Sequence, residues 1–457
     1  MLVEGADMFE NKKILVLGMA RSGYEAAKYL IKHGNTVILN DGGSEEKQKK
    51  EQVEELKELG VTLIFGSHPD DLLDDSFDYL IKNPGIPIDH KYVLKARELN
   101  IEVINEAEMA YRLLPESVTL IGITGTNGKT TTTTLTYEMI KESGKRVHLA
   151  GNIGYPLTSF LDKLEDNDII VMEVSCQQLE NMNEFKPHIA LMTNLSVAHV
   201  DFLKSYENYK RVKLKLFKNQ TASDIAILNI ENDEVIDGTK DIKATTKYFS
   251  SKREINGAYY KDNSLWYYGE KILDRDKFLL AGNHNVENAL GAMMIAKEVG
   301  VDNESIVKVL TTFKGVAHRL EFVDEIDGVK YYNDTEATNT KCTQIALNSF
   351  NCDIVLILGG LERGQNFHDL DKYMGNVKEI VGIGQCRNRV KEYGTELNIN
   401  TQIFETLDEA MDYINEIKQS GEVVLLSPAS ASWDQYKQCE DRGDEFKEKI
   451  RKMRENS

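Results

Sequence analysis

The stretch Gly125-Thr126-Asn127-Gly128-Lys129-Thr130 decides the fold class, because it joins an apolar strand to a helix-compatible run. The strand is predicted over 118–123. Backbone N–H groups at a helix N-terminus hold phosphate oxygens, a lysine neutralises their charge, and a hydroxyl can bind magnesium. The two glycines are three residues apart, so this is a shortened variant of the phosphate-binding pattern. The alternative, a glycine-asparagine turn with an exposed lysine, does not account for the full order of strand, glycines, lysine and threonine.

Strands alternate with helices on both sides of this loop, which predicts an α/β protein with three tandem domains. The domains are expected at 1–108, 109–314 and 315–457: a Rossmann-like N-terminal domain, a central P-loop ATPase-like domain with a mostly parallel sheet, and a Rossmann-like C-terminal domain. Predicted helices include 24–32, 285–299 and 407–417, the last with a capping box formed by Thr406 and Glu409. The predicted strands are 12–17, 36–39, 61–65, 79–81, 101–104, 118–123, 146–150, 169–174, 189–193, 225–228, 330–332, 354–358, 379–382 and 423–426. A small antiparallel flap is expected at 244–268.

Composition excludes several classes of protein. The chain has 457 residues, 41% of them apolar, with 7 prolines, which excludes collagen and intrinsic disorder. A net charge of −19 argues against a nucleic-acid partner. The 5 cysteines form no CxxC pair, which favours a reducing compartment. No leader sequence or membrane-spanning run is visible. We therefore expect a cytoplasmic protein that binds neither nucleic acid nor a membrane.

A second glycine loop, Gly18-Met19-Ala20-Arg21-Ser22-Gly23, follows the first predicted strand. It has the form G-x-A-x-x-G, and Asp41 ends the next strand where a ribose-binding acid would lie. These residues alone leave NAD binding open, although the Ala20 methyl group narrows the approach to a pyrophosphate. A second interpretation left open is that the loop is a purely structural glycine turn.

Three residues of the middle region form a candidate magnesium site. Glu173 ends one predicted strand, and His199 follows another. The carboxyl ends of parallel strands face one crevice, so both are expected beside the phosphate loop and Thr130. Carboxylate and hydroxyl oxygens suit magnesium, whereas a histidine is an unusual ligand for it and is more often structural.

The loop 124–131 resembles that of the Mur ligase and folylpolyglutamate synthetase superfamily. Further strings narrow the resemblance to D-glutamate-adding members of the Mur ligase family, and it extends over nearly the whole chain. These strings are Gly151-Asn152-Ile153-Gly154, Met172 to Ser175, Asn194-Leu195-Ser196 with His199, and the stretches 282–288, 318–321, 333–339, 359–364 and 427–436.

The resemblance implies an ATP-dependent, ADP-forming ligase of peptidoglycan synthesis with ATP and Mg²⁺ as cofactors. Its substrates would be UDP-N-acetylmuramoyl-L-alanine and D-glutamate, joined through an acyl phosphate, and the enzyme would be a monomer. The implied UDP-substrate residues are Arg21, Ser22, Asp41, Gly42, Gly43, Asn83, Gly85 and Asn152. The implied ATP residues are Gly125, Thr126, Asn127, Gly128, Lys129, Thr130, Thr131, Asn285, Asn288, Arg319 and Asp334. Thr338, Arg363 and Ser432 would hold the amino acid. Lys129, His199 and Lys213 would be catalytic, and the metal ligands would be Thr130, Glu173, His199 and Lys213 as a carbamate.

Three positions depart from the family pattern. Glu336 stands where the family usually has a lysine, Arg363 replaces another lysine, and Cys439 replaces an aromatic residue. These changes affect substrate affinity more than reaction class. The alternatives are another ligase of the superfamily, including one that extends folate, an NAD-dependent oxidoreductase, and a non-catalytic nucleotide switch.

Overall fold

The computed structural model describes residues 6–197 and 203–455, and their strands form three sheets. Contacts divide the chain into two compact units, Met1–Ile272 with Glu287–Val307, and Leu273–Val286 with Lys308–Ser457. The first sheet and most of the second lie in the first unit, and the third sheet lies in the second unit. Three α/β regions with mostly parallel sheets confirm the predicted fold class. The exact domain boundaries stay a prediction.

The first sheet is entirely parallel, in the order β3-β2-β1-β4-β5. Its elements are β1 (Lys13–Leu17), α1 (Arg21–Lys32), β2 (Thr36–Asp41), α2 (Lys50–Glu58), β3 (Thr62–Phe65), β4 (Tyr79–Lys82), α3 (Lys91–Glu98), β5 (Glu102–Ile104) and α4 (Glu106–Arg112). Helix α1 begins three residues earlier than predicted, because the glycine loop leads directly into it. A Cβ at Gly23 would lie 1.9 Å from the Gly18 carbonyl oxygen, so the first turn of α1 needs glycine there.

The second sheet has nine strands in the order β14-β13-β12-β11-β10-β9-β6-β8-β7, and the strands from β7 to β12 are parallel. Its strands and helices are β6 (Thr119–Thr124), α5 (Lys129–Glu142), β7 (Val147–Gly151), β8 (Ile169–Glu173), α6 (Cys176–Glu180), β9 (Ile189–Met192), α7 (Tyr206–Lys218), β10 (Ile225–Asn229), α8 (Asp233–Gly238), β11 (Thr245–Ser250), β12 (Ala258–Lys261), β13 (Ser264–Tyr267), β14 (Glu270–Asp274), α9 (Asn283–Glu298) and α10 (Asn303–Thr312).

The predicted antiparallel flap at 244–268 is only partly correct. Strand β11 pairs in parallel with β10 and extends the central sheet. Antiparallel pairing begins with β12 and β13. The prediction failed because alternating polar residues are typical of both a flap strand and a partly exposed parallel strand near a sheet edge.

The third sheet has the order β15-β16-β20-β17-β18-β19, with β15 as an antiparallel edge strand. Its elements are β15 (Glu321–Ile326), β16 (Val329–Asn333), α11 (Thr340–Leu347), β17 (Ile354–Gly359), β18 (Val377–Ile383), α12 (Arg387–Glu396), β19 (Asn400–Ile403), α13 (Leu407–Ile417), β20 (Val423–Leu426) and α14 (Cys439–Glu455). The sequence did not predict β15 and β19, because edge strands lack a continuous apolar run. The capping box of α13 is confirmed.

Short 3₁₀ segments complete the described secondary structure. They are Ala6–Phe9, Glu45–Lys47, Leu157–Lys163, Arg275–Lys277 and Phe367–Asn376. Within residues 6–197 and 203–455, none of the helices is both long enough and apolar enough to span a bilayer.

Candidate functional sites

The predicted phosphate loop connects β6 to α5, and its backbone conformation requires glycine at two positions. Gly125 has a φ of 151° and Gly128 a φ of 79°. A Cβ on Gly125 would lie 1.9 Å from Thr193 Oγ1, and one on Gly128 would lie 2.2 Å from Asn288 Oδ1. Lys129 Nζ donates to the Thr126 carbonyl at 3.0 Å. The loop therefore has the strand–loop–helix geometry that binds phosphates through backbone N–H groups.

Two residues that the sequence analysis did not assign to the site hold the loop in shape. Asn194 Oδ1 accepts from the Asn127 N–H at 2.9 Å, and its Nδ2 donates to the Asn127 carbonyl at 3.1 Å. Thr193 Oγ1 donates to the same carbonyl at 2.6 Å. Asn194 was quoted within the family resemblance, so a signal for it existed, whereas Thr193 had none.

Of the other predicted ATP residues, Thr130, Thr131 and Asn288 lie close to the loop in this unit, whereas Asn285 belongs to the second unit. Thr130 and Thr131 are half-buried in the first turn of α5. Asn288 Oδ1 accepts from Thr132 Oγ1 at 3.3 Å. Asn285, three residues earlier on α9, donates to the Ala281 carbonyl at 2.7 Å.

Glu173 ends β8 as predicted, and its carboxylate is fully buried. Its Oε1 accepts from Asn152 Nδ2 at 2.6 Å. Its Oε2 is buried and has no hydrogen-bond partner among the described residues. An unpartnered buried carboxylate oxygen is costly unless a cation or water completes it. Because Glu173 pairs in register with Ile123 of β6, this oxygen lies at the sheet edge that carries the loop.

Lys213 is not part of a solvated helix face, because only 1% of its surface is exposed. Its Nζ donates to Thr124 Oγ1 at 2.9 Å and to the Gly125 carbonyl at 2.8 Å. Burial, helped by the nearby positive charge of Lys129, lowers the pKa of Lys213 to about 7. An uncharged amine is therefore available beside the loop near neutral pH. His199, the remaining predicted ligand, lies outside the described residues.

A cavity of about 330 Å³ opens between the first and second sheets of this unit. It is lined by five predicted UDP-substrate residues, Arg21, Ser22, Asn83, Gly85 and Asn152. Arg21 extends across the cavity wall and donates to the Gly154 carbonyl at 2.8 Å. The structure thus brings together residues that are far apart in sequence.

The other three predicted UDP-substrate residues, Asp41, Gly42 and Gly43, lie at the end of β2, and Asp41 contacts the glycine loop. Asp41 Oδ2 accepts from the Met19 N–H at 2.8 Å, and its Oδ1 accepts from the Gly43 N–H at 2.7 Å. A Cβ on Gly42 would lie 2.7 Å from His68 Nε2. Both carboxylate oxygens of Asp41 accept backbone N–H groups, so Asp41 holds the two loops together and keeps acceptor sites for a further donor.

The cavity wall contains further polar residues that the sequence analysis missed: Glu106, Ser175, Gln177 and Gln178. Glu106 is 4% exposed, and its Oε1 accepts from both the N–H and the Oγ1 of Thr158. Burial raises the pKa of the Glu106 carboxyl from 4.5 to about 7. Because α4 lies outside the glycine loops, nothing in its sequence pattern pointed to this cavity.

In the second unit, Asp334 and Arg319 lie next to each other. Asp334 Oδ2 accepts from Ser427 Oγ at 2.7 Å, and Oδ1 accepts from the Leu320 N–H at 3.0 Å. Burial raises the pKa of Asp334 to about 7. Arg319 is exposed and forms an ion pair with Glu336 at 3.4 Å. The unusual acid at 336 therefore has a positive partner.

The predicted amino-acid residues lie on loops at the carboxyl ends of the third sheet's strands. The Arg363 guanidinium stacks over the Trp433 ring at 4.6 Å, and both side chains are exposed. Ser432 Oγ is buried and has no hydrogen-bond partner among the described residues. Thr338 is exposed, and its N–H donates to the Glu336 carbonyl. The stacking links Arg363 to the segment that contains Ser432.

Arg442 is a structural residue that the sequence analysis missed. Its guanidinium is 1% exposed and donates to Thr335 Oγ1 at 2.9 Å and to the Thr335 and Ser430 carbonyls at 3.1 Å. It thereby joins the loop after β16 to the loop after β20. Cys439, at the start of the same helix, has its thiol pKa raised to about 11 by burial and by Glu336 and Glu440.

A parallel sheet with a glycine-rich phosphate-type loop, a buried carboxylate and a buried lysine defines a nucleotide-dependent α/β enzyme. The chain matches three family profiles: "Mur ligase MurD-like, N-terminal domain" at residues 12–105, "Mur ligase middle domain" at 123–296, and "Mur ligase, glutamate ligase domain" at 318–430. The chain belongs to the Mur ligase family.

Curated relatives match over nearly their whole length. A UDP-N-acetylmuramoylalanine–D-glutamate ligase from Lactococcus lactis subsp. lactis is 45% identical over 96% of this chain and 97% of its own. The protein of the same name from Staphylococcus aureus is 41% identical over 97% of both chains. Among solved structures, MurC from Thermotoga maritima has a TM-score of 0.59 at 19% identity, covering 97% of this chain and 100% of its own. MurF from Acinetobacter baumannii also has a TM-score of 0.59, at 16% identity and 98% coverage of both. These two structures support the fold.

Proposed function

We propose that this protein is the ligase that joins D-glutamate to UDP-N-acetylmuramoyl-L-alanine, with ATP cleaved to ADP and phosphate, in peptidoglycan precursor synthesis. The observation that carries the proposal is the 41–45% identity, over nearly the full length of the chain, to relatives named for this reaction. The loop geometry, the buried carboxylate and the 330 Å³ cavity support it.

Each region has its own proposed part in substrate binding. Residues 1–108 bind the UDP moiety, since four of their seven proposed contacts, together with Asn152, line the 330 Å³ cavity. Residues 109–314 bind ATP on the loop at Gly125 to Thr131, with Asn285 and Asn288 on the adenine. Residues 315–457 bind the amino acid, and Arg319 and Asp334 complete the ATP site.

The chemistry begins with activation of a carboxylate, because amide formation from a free carboxylate is uphill in water. The terminal carboxylate oxygen of the L-alanine substrate attacks the γ-phosphorus of ATP, and ADP leaves. The D-glutamate amine attacks the resulting acyl carbon, and the carbon–oxygen bond to phosphate breaks. Lys129 and the loop N–H groups offset charge on the phosphates and hold them in place.

Magnesium fits the residues beside the loop. The unpartnered Glu173 Oε2 and the Thr130 hydroxyl are hard oxygen donors of the type that magnesium prefers. Lys213 as a carbamate would add an anionic oxygen, and its burial beside the Gly125 carbonyl supplies the uncharged amine that carbamate formation needs. His199 completes the proposed set. When bound, the ion would stabilise charge on the transferring phosphoryl group.

The proposed amino-acid site consists of Thr338, Arg363 and Ser432. An arginine can hold a carboxylate through two parallel hydrogen bonds, and the Trp433 ring limits the directions in which Arg363 can point. The Arg319–Glu336 ion pair leaves the acid at 336 partly neutralised, which is compatible with ATP nearby.

The proposed setting follows from the substrates. ATP and a nucleotide-linked sugar are made and used in the cytoplasm, which we propose as the site of action. The protein is proposed to act as a monomer on small molecules, without a nucleic-acid or membrane partner.

The test is phosphate release in a mixture of protein, ATP, Mg²⁺ and UDP-N-acetylmuramoyl-L-alanine, with one amino acid added at a time. We expect release that depends on D-glutamate. Phosphate release that depends on a different amino acid would mean that the protein is a ligase of this family with another amino-acid substrate. Turnover of a folate substrate without the UDP-sugar, or nicotinamide reduction, would overturn the proposal in favour of another ligase or an oxidoreductase. ATP binding without any product amide would indicate a nucleotide switch.

A further inference from the structure

Lys82 is a buried cation whose only hydrogen-bond partners among the described residues are three backbone carbonyls. It is the last residue of β4, and its side chain has no exposed surface. Its Nζ donates to the carbonyls of Ile86 at 2.7 Å, Asn83 at 3.3 Å and Pro84 at 3.4 Å. An ammonium group has three N–H donors and no acceptor, so three carbonyls match its hydrogen-bonding capacity.

The loop that Lys82 holds, residues 83–86, forms part of the cavity wall. Asn83, Pro84 and Gly85 all line the cavity. The Asn83 side chain accepts from the Gly85 N–H at 3.1 Å and donates to Ser22 Oγ at 3.0 Å. The orientation of the Asn83 amide therefore links this loop to the first turn of α1.

The second glycine loop packs tightly on the same residue. A Cβ on Gly18 would lie 3.0 Å from Asn83 Cβ, and the Asn83 N–H donates to the Leu17 carbonyl at 2.9 Å. A rotation of the peptide groups of loop 83–86 would thus move Asn83 against both Gly18 and Ser22. Loop 83–86 and the glycine loop therefore both depend on the arrangement of the three carbonyls that Lys82 binds.

We propose that Lys82 is a positioning residue for the nucleoside-diphosphate end of the substrate, acting by turning three carbonyls of loop 83–86 inward and so fixing Asn83 and Gly85 in the cavity wall. The inference rests on the proposed function, since it takes the cavity as the UDP site. Lys82 makes no contact with substrate in this account.

Protonation of Lys82 should make UDP binding depend on pH, which a side chain that acts by packing alone would not do. Burial lowers the pKa of Lys82 to about 8. The Arg97 guanidinium lowers this pKa further, whereas the Glu180 carboxylate raises it. His90, on the segment before α3, is also close enough to sense the charge of Lys82. A neutral amine has two donors and a lone pair, so one carbonyl would then face a lone pair. The loop is therefore held fully only below about pH 8.

The experiment measures the affinity for UDP, by calorimetry without ATP or Mg²⁺, for the wild type and Lys82→Met between pH 7 and 9. We expect the dissociation constant to rise at least tenfold in Lys82→Met at pH 7. The ratio between variant and wild type should fall toward one as pH passes 8. Ionisation of the ligand cancels in that ratio. In turnover assays KM for the UDP-sugar should rise, while kcat and KM for ATP stay within twofold.

Lys95→Met is the matched control. Lys95 is half-buried and also donates to a backbone carbonyl, that of Asp70 at 2.7 Å, but this carbonyl is outside the cavity wall. The Lys95→Met substitution should leave the affinity for UDP unchanged. Equal affinities of Lys82→Met and the wild type, or a ratio that does not change with pH, would overturn the inference.

A wild-type measurement covers the case in which Lys82→Met does not fold. The wild-type dissociation constant for UDP should then rise with a one-proton midpoint near pH 8, and a constant affinity across that range would overturn the inference. If the wild type binds no UDP at all, the proposed function fails rather than the role of Lys82.

Discussion

Glu106→Gln is predicted to stabilise the protein, and to do so most at neutral and alkaline pH. Glu106 is buried in the wall of the cavity and has no cationic partner within residues 6–197 and 203–455, and Glu25 adds a repulsive negative charge. Raising its pKa from 4.5 to about 7 corresponds to about 3 kcal/mol of destabilisation once the carboxyl is ionised. Glutamine keeps an oxygen to accept from Thr158 and removes the charge.

The pH dependence follows from linkage. The folded state binds a proton more tightly than the unfolded state, so the penalty is absent below pH 4.5, grows between 4.5 and 7, and is constant above 7. The glutamine variant should therefore gain less stability over the wild type at pH 5 than at pH 8. Because the structure relaxes around buried charges, about 1–3 kcal/mol is the expected gain at pH 8.

Glu108→Gln is the matched control on the same helix. Glu108 is also fully buried, but it pairs with Arg112 at 3.0 Å and accepts from the Glu184 N–H at 2.7 Å. Its neutralisation removes one of the carboxylate partners of the buried Arg112 guanidinium, which keeps Glu102 at 2.6 Å, and should destabilise by about 1–3 kcal/mol. The assay is thermal and urea unfolding of each variant at pH 5 and pH 8. A gain for Glu106→Gln that is equal at both pH values, or a loss at pH 8, would refute the reasoning.

Three further predictions concern the proposed active site. Lys129→Ala should lower kcat by about 10²–10³-fold, because the lysine offsets the negative charge of the phosphates. The unfolding midpoint should stay near that of the wild type, and normal turnover would contradict the assignment of the phosphate loop. Gly128→Ala should weaken ATP binding about tenfold, since its Cβ would lie 2.2 Å from Asn288 Oδ1 and displace that side chain, and a φ of 79° costs an alanine about 1–2 kcal/mol. Nucleotide titration checks this, with Gly144→Ala, at φ 78° in open space, as the control for backbone strain alone. Arg363→Ala should raise KM for D-glutamate by about 10–100-fold with KM for ATP unchanged, and an equal rise in both constants would place Arg363 elsewhere.

Much of the fold was predictable because buried parallel strands are continuous apolar runs. Ile354–Gly359 is apolar at nearly every position and is buried throughout, and its prediction was correct to within one residue. The edge strand Glu321–Ile326 mixes three acidic with three apolar residues in no continuous apolar run and was missed. A strand covered on one face carries only half of the apolar signal.

In the candidate sites, features formed by one local stretch of sequence could be predicted, whereas features formed by distant residues could not. The loop at Gly125 to Thr130 is local in sequence, so its strand–loop–helix context could be predicted and is confirmed. Glu106 and Lys82 owe their environments to residues far along the chain, such as Thr158 and Glu180. Their pKa values depend on burial in the folded protein, which no local pattern reveals.

The central claim is that a substrate carboxylate is activated by ATP and then joined to D-glutamate. The most direct measurement uses UDP-N-acetylmuramoyl-L-alanine labelled with ¹⁸O in its terminal carboxylate, followed by mass spectrometry of both products. We predict one ¹⁸O atom in the released phosphate and a UDP product that has gained one glutamate residue and keeps one ¹⁸O atom in its new amide, only when D-glutamate is present. Unlabelled phosphate, or phosphate released without a heavier product, would contradict the account.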